Sequence, residues 1–246
     1  MQWKQWHLGC SLLTLALAFG CGGGGSKSNP PPTPVSLDPS GIFQGSMIST
    51  SFAPVDITEG IILPTGEARL LLRSGYQISA NLQITNNTFN SSALEYTTSS
   101  QQSITISDGK INSSATSGGQ ANLNGSYNTF NDNGQFTLYS IAPLNSSSSP
   151  KSLNNLAGTW IADAVTSAGY ILININSSGN ITPTSQFGGQ FTQITPNNNG
   201  FRVSISINGL SYTGLAYTFG NSQFADTFLV ILASTTNGQF YAVFHH

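Results

Sequence analysis

Charge is what this sequence has least of. Of its 246 residues only 7% are Asp, Glu, Lys or Arg, with Lys+Arg 7 against Asp+Glu 9. A formal charge of −2 leaves no basic surface to neutralise phosphates, which argues against nucleic acid as a partner. Histidine is almost as scarce. Beyond His7 the only imidazoles are His245 and His246, so Ser-His-Asp and Cys-His constellations, which need an imidazole to move the proton, are excluded from the interior of the chain. The cysteines are Cys10 and Cys21, too few for a zinc site of three or four His and Cys ligands. The terminal His pair reads as a frayed tail. Long apolar runs are missing too: Leu12 to Phe19 falls well short of the roughly 20 residues that span a bilayer. No segment shows caps and a 3.6-residue period. What remains is a chain in which Ser, Thr, Asn and Gly exceed two fifths of all residues, with 38% hydrophobic residues in short runs, enough for a folded core.

The first segment reads as an address. Residues 1–20 carry one Lys, Lys4, and a short apolar stretch, the shape of a secretory signal peptide. Cys21 follows at once, then Gly22-Gly23-Gly24-Gly25-Ser26. The stretch Leu17-Ala18-Phe19-Gly20-Cys21 resembles the lipobox of bacterial lipoproteins, with Leu17 one step earlier than that family places it. The resemblance implies cleavage before Cys21 and acylation there, with palmitate-type chains anchoring the protein to a membrane. Gly22, where an Asp favours inner-membrane retention in enterobacterial relatives, implies the outer membrane. Ala18 and Gly20 also suit an ordinary signal peptidase, whose product is a soluble periplasmic protein. Residues 21–40, with four consecutive glycines and Pro30-Pro31-Pro32-Thr33-Pro34, form a flexible, then extended tether.

From residue 41 the pattern is β throughout. Phe201, Val203, Ile205 and Ile207 alternate with polar residues, and Ala68, Leu70 and Leu72 alternate with Glu67, Arg69, Leu71 and Arg73. Turn signals punctuate the runs: Pro64-Thr65-Gly66, Asp108-Gly109, Asn133-Gly134, Ser178-Gly179-Asn180 and Asn208-Gly209. Two halves match. Gly41-Ile42-Phe43 opens one and Gly158-Thr159-Trp160 the other, and each closes on Gly-Gln-Phe, at Gly134-Gln135-Phe136 and Gly238-Gln239-Phe240. The expected fold is all-β: two tandem antiparallel β-barrel or β-sandwich domains, residues 41–144 and 157–246, joined by a Ser-rich linker at 145–156. Gly158-Thr159-Trp160 resembles the opening motif of lipocalins. That resemblance implies an eight-stranded barrel with the Trp plugging its base and a cavity at the far end; the plainer reading makes Trp160 and Phe43 ordinary core aromatics.

Carboxylates are the remaining route to catalysis, since glycosidases use a pair flanking the bond. Asp108 and Asp132 fall in turn signals. Asp56, Glu59, Glu67, Arg69 and Arg73 read as a charged, solvated outer face. Asn131-Asp132-Asn133-Gly134 lacks the acidic spacing and closing Glu of a calcium loop and reads as a hairpin turn. The run from Asp226 to Ala233 is apolar on both faces, so it is expected to pack between the halves. The reading is therefore a non-enzymatic, lipid-anchored bacterial envelope protein, with Cys21 as its modification site and no catalytic residue, metal or cofactor. Its expected partners are a membrane, through the anchor, and a small apolar ligand or an envelope protein. The alternative is a structural or assembly component of an outer-membrane complex, or a surface adhesin-like module.

Overall fold

The computed structural model describes residues 37–97, 99–113, 121–142, 144, 152–162, 171–183, 187–193, 200–220 and 227–246. Cys21, the leader, residues 22–36 of the tether, Asp163 and Asp226 lie outside the described residues. The first half folds as β1 (Gly41–Ser49), β2 (Val55–Ile62), β3 (Glu67–Leu72), β4 (Gln77–Asn81), β5 (Gln83–Thr85), β6 (Thr88–Tyr96), β7 (Gln101–Ser113), β8 (Ala121–Asn128) and β9 (Asn133–Ala142). The second folds as β10 (Gly158–Ala162), β11 (Leu172–Ile175), β12 (Asn180–Ile181), β13 (Phe187–Gln193), β14 (Gly200–Ile207), β15 (Leu210–Gly220), β16 (Thr227–Thr235) and β17 (Gly238–His245). Every pairing is antiparallel, and most join strands consecutive in the chain. In the first half β1 pairs with β9 and β4 pairs with β6, so eight strands close into a ring and β5 hangs on β6 as a short hairpin arm. In the second, β10 pairs with β17 and closes a second eight-stranded barrel. Closure removes the free edges that an open sheet would expose.

In each barrel, strand alternation turns one apolar face inward to form a core. Barrel 1 buries Phe43, Leu70, Ile78, Phe89, Ile104, Leu123 and Phe136 among others, and barrel 2 buries Trp160, Phe191, Phe201, Ile205, Ile231 and Phe244. The matched motifs fall on corresponding strands: Phe43 and Trp160 are both fully buried third residues of a first strand, and both Gly-Gln-Phe triplets open a last strand. The Asp108-Gly109 pair does not end a strand as its turn chemistry suggests. It forms a bulge inside β7, with Asp108 at φ 53° and the register shifting between Ser107 and Lys110. A side chain on Gly109 would meet the ring and carbonyl of Phe89, so the glycine admits that ring to the core.

The barrels are joined by a third apolar cluster. Ile42, Ile61, Leu63, Leu71 and Leu144 of the first half pack against Leu215, Tyr217, Val230 and Leu232 of the second. β16 supplies both of its faces, as its composition requires: Leu229, Ile231 and Ala233 enter the barrel 2 core while Val230 and Leu232 enter the junction. β3 does the same from the other side. A bulge in β2 between Ile57 and Glu59 reverses the strand's parity, turning Ile57 and Ile62 into barrel 1 and Glu59 and Ile61 toward barrel 2.

The charged face of the first half is therefore solvated only in part: Asp56, Arg73 and the Glu67–Arg202 pair meet solvent, while Glu59 and Arg69 turn into the junction. Tyr217 Oη donates to Glu59, Arg202 donates to Glu67 through both Nε and Nη2, and Arg69 Nη1 donates to Ser234 Oγ at 2.6 Å and Nη2 to the Thr213 carbonyl at 3.1 Å. Asp56 and Arg73 pair on the exterior, at 2.9 Å. The polar residues surrounding an apolar junction give it register, as a polar rim does at an interface between proteins.

Candidate functional site

The poles of the two barrels differ. One pole of barrel 2 is covered by a single 3-10 turn, Leu153–Leu156, lying in the stretch that the composition marks as linker. Leu156 is fully buried and its carbonyl accepts a 2.8 Å hydrogen bond from Trp160 Nε1. The His246 ring meets the Trp160 ring edge-on, with centroids 5.2 Å apart. Gly158, at φ +145°, leaves the space that His246 occupies. The terminal histidines are thus not a frayed tail: His245 ends β17, paired with Ile161 and Phe228, and His246 packs on the tryptophan. Toward the other pole Phe240 lies 5.8 Å from Phe187 and 6.4 Å from Tyr212, ring to ring.

Barrel 1 is closed at one pole only. There Leu82 and Phe89 are buried, Leu37 and Ile84 pack against them, and the Asn87 side chain accepts from the Leu37 amide at 2.7 Å. At the opposite pole the ends of β1, β3, β6 and β8 surround an open pocket of about 310 Å³. Its floor is Met47, Val55, Leu72, Ile104 and Tyr127, and Phe52 and Tyr76 stand at its rim from the β1–β2 and β3–β4 loops. A further void of about 20 Å³ lies among Met47, Ile57, Ile104, Tyr127 and Phe136. Small-molecule pockets run from about 300 to 1,000 Å³. The mouth is thus large enough for one compact ligand, and the void beneath admits no long tail.

Polar groups sit only in the outermost layer. Period-two alternation carries Glu95 inward two residues beyond buried Ala93, and Gln102 inward two residues before buried Ile104. They face each other across the β6–β7 pair, with Gln102 Nε2 donating to the Glu95 carboxylate. Asp132, in the β8–β9 turn, accepts from Ser49 Oγ at 2.7 Å and from Tyr127 Oη at 2.8 Å. Burial first, and then this bond to Asp132, push the Tyr127 hydroxyl up to about 12, so it stays a donor at neutral pH. Among the described residues no Lys, Arg or His lines the pocket.

A second cavity, about 730 Å³, runs between the barrels beside Glu67, Arg69, Ser92, Ser103, Arg202 and Thr213. Its charges already serve the junction. The Glu67 bonds raise the Arg202 guanidinium, while burial lowers that of Arg69, opposed by Tyr96, 5.8 Å from ring centre to guanidinium carbon, and by Glu67.

The residues singled out by sequence are thus dispersed. Asp132 reaches the mouth; Glu59, Glu67 and Arg69 reach the junction; Asp56 and Arg73 stay outside; Asp108 makes a bulge. Glu95, Tyr127, Phe52 and Tyr76 were not marked as site residues by any motif. The available signal was an aromatic residue inside a polar turn, Phe52 after Thr50-Ser51 and Phe130 within Thr129-Phe130-Asn131, the latter 95% exposed. Among the described residues no group of three or more His, Cys, Asp or Glu side chains is placed to hold a metal, and no described helix is long and apolar enough to cross a membrane. No protein-family model matches the chain, and comparison with curated proteins and with solved structures returns no match.

Proposed function

We propose that this chain is a lipid-anchored envelope protein of a bacterial outer membrane, and that barrel 1 is a non-catalytic binding module for one small, largely apolar ligand. The open, apolar-floored mouth of barrel 1 carries this reading. One further feature supports it. Among the described residues, strand closure leaves β5, three residues long and paired only with β6, as the edge of the first barrel, which favours ligand uptake over assembly by edge pairing.

The anchor is tested by replacing Cys21 with Ala and following palmitate labelling and membrane fractionation. Loss of both is expected, and unchanged labelling contradicts the anchor. The module is tested by native mass spectrometry after mild detergent extraction. A bound small molecule is expected on the wild type and not on Met47→Trp; purely proteinaceous adducts would favour the assembly reading.

A further inference from the structure

We propose that the mouth of barrel 1 selects a small organic cation: a protonated amine carried on a compact apolar or aromatic body. This rests on the mouth being a binding pocket and adds what the pocket prefers.

The argument begins with the sign of the charge. The protein has few ionisable side chains, yet two carboxylates, Glu95 and Asp132, line this one pocket of about 310 Å³. Neither is within ion-pair distance of a cation among the described residues. Arg73, next in sequence to lining residue Ser74, is engaged on the outer face by Asp56 at 2.9 Å. The hydrogen bonds that the two acids accept come from neutral groups, Gln102, Ser49 and Tyr127. These orient the carboxylates without cancelling their charge. Aromatic rings supply the second half of the recognition. Phe52, Tyr76 and Tyr127 line the same space, and rings beside carboxylates are the set that binds ammonium groups, through charge pairing and through the ring quadrupole. Below that layer the floor offers Met47, Val55, Leu72 and Ile104, which take an apolar body and nothing charged.

The same features exclude other occupants. An anionic ligand meets two carboxylates and no cation. A long acyl chain finds only about 20 Å³ beneath the floor. Docking of the mouth onto an anionic lipid surface is opposed by the sign of the rim, although Phe52 and Phe130 are exposed there at 64% and 95%.

Isothermal titration calorimetry with three isosteric probes tests the proposal on the folded protein: 2-phenylethylamine, 2-phenylethanol and phenylacetate, at neutral pH and two salt concentrations. The amine is expected to bind about tenfold or more tightly than the alcohol, the carboxylate not measurably, and the amine preference to shrink with salt. Glu95→Gln, which keeps an acceptor for Gln102, and Asp132→Asn are each expected to cut that preference several-fold, weakening the amine more than the alcohol. Binding of the alcohol as tightly as the amine overturns the cation preference and leaves the pocket standing. Failure of all three probes, together with failure of a neutral naphthyl probe, overturns both. An amine preference that survives in the Glu95→Gln/Asp132→Asn double variant places the cation elsewhere and also overturns the proposal.

Discussion

Barrel 1 and barrel 2 have the same eight-strand meander and the same buried aromatic at the third residue of the first strand, yet among the described residues barrel 1 has a pocket open at one pole, whereas barrel 2 has a pole covered by the turn Leu153–Leu156. An eight-stranded barrel is just wide enough to be packed by its own side chains or to hold one small ligand. At that width side-chain volume decides. Barrel 2 brings Trp160, Phe187, Phe191, Phe201 and Phe244 to its core and adds the turn Leu153–Leu156 as a cover. The mouth layer of barrel 1 is built from Met47, Val55, Leu72, Ile104 and Tyr127, with Phe52 and Tyr76 standing at the rim. A shared scaffold thus divides the work: barrel 2 braces the junction and barrel 1 presents the pocket.

The strongest way to break this division is to unplug barrel 2. Trp160→Ala is expected to cost about 3–5 kcal/mol, measured by denaturant unfolding, because the indole is 1% exposed and its Nε1–H is hydrogen-bonded. Next is the junction. Leu232→Ala removes a fully buried side chain from between the barrels and is expected to cost about 2–5 kcal/mol. Calorimetry should then show one melting transition separating into two; a single unshifted transition would mean that the barrels do not stabilise each other.

Filling barrel 1 gives a smaller change in stability. Met47→Trp, at a half-buried position facing the pocket, is expected to alter stability by no more than about 1–3 kcal/mol while abolishing uptake. The smallest effect concerns pH. Burial raises the Glu59 carboxyl above its ordinary value of 4.5, with the Tyr217 hydrogen bond pulling the other way. A carboxyl raised on folding holds its proton more tightly when folded. Its contribution to stability is therefore complete below the unfolded value and is lost as pH rises through the folded one. The melting temperature should fall modestly as pH rises above 4.5, and Glu59→Gln should flatten that slope; an unchanged slope would remove Glu59 from the account.

What the sequence discloses and what it hides follow from the range of the interactions. Alternation at Phe201 to Ile207 and around Leu70 is local, and it gave the strands and their inner faces directly. The two-faced run at β16 announced a buried strand because no solvated position accepts Val230 and Leu232 beside Leu229 and Ile231. The part of the charged face that turns into the junction was not legible, because the partners of Arg69, Ser234 and Thr213, lie far along the chain. Asp108-Gly109 has hairpin-turn chemistry, but a bulge uses the same backbone conformation, and Phe89 decides between them. The pocket left least trace. Its walls come from separate strands and loops, linked by contacts such as Ser49 to Asp132, and a space enclosed by distant segments has no local signature.

The contrast between the barrels is tested most directly by titrating the protein with N-phenyl-1-naphthylamine, an environment-sensitive and essentially neutral probe at pH 7, in the wild type and in Met47→Trp. The account predicts saturable fluorescence enhancement with one site per chain in the wild type and none in Met47→Trp, whose circular dichroism should remain that of the folded protein. Equal enhancement in both, or none in the wild type, would contradict the claim that barrel 1 is the open one.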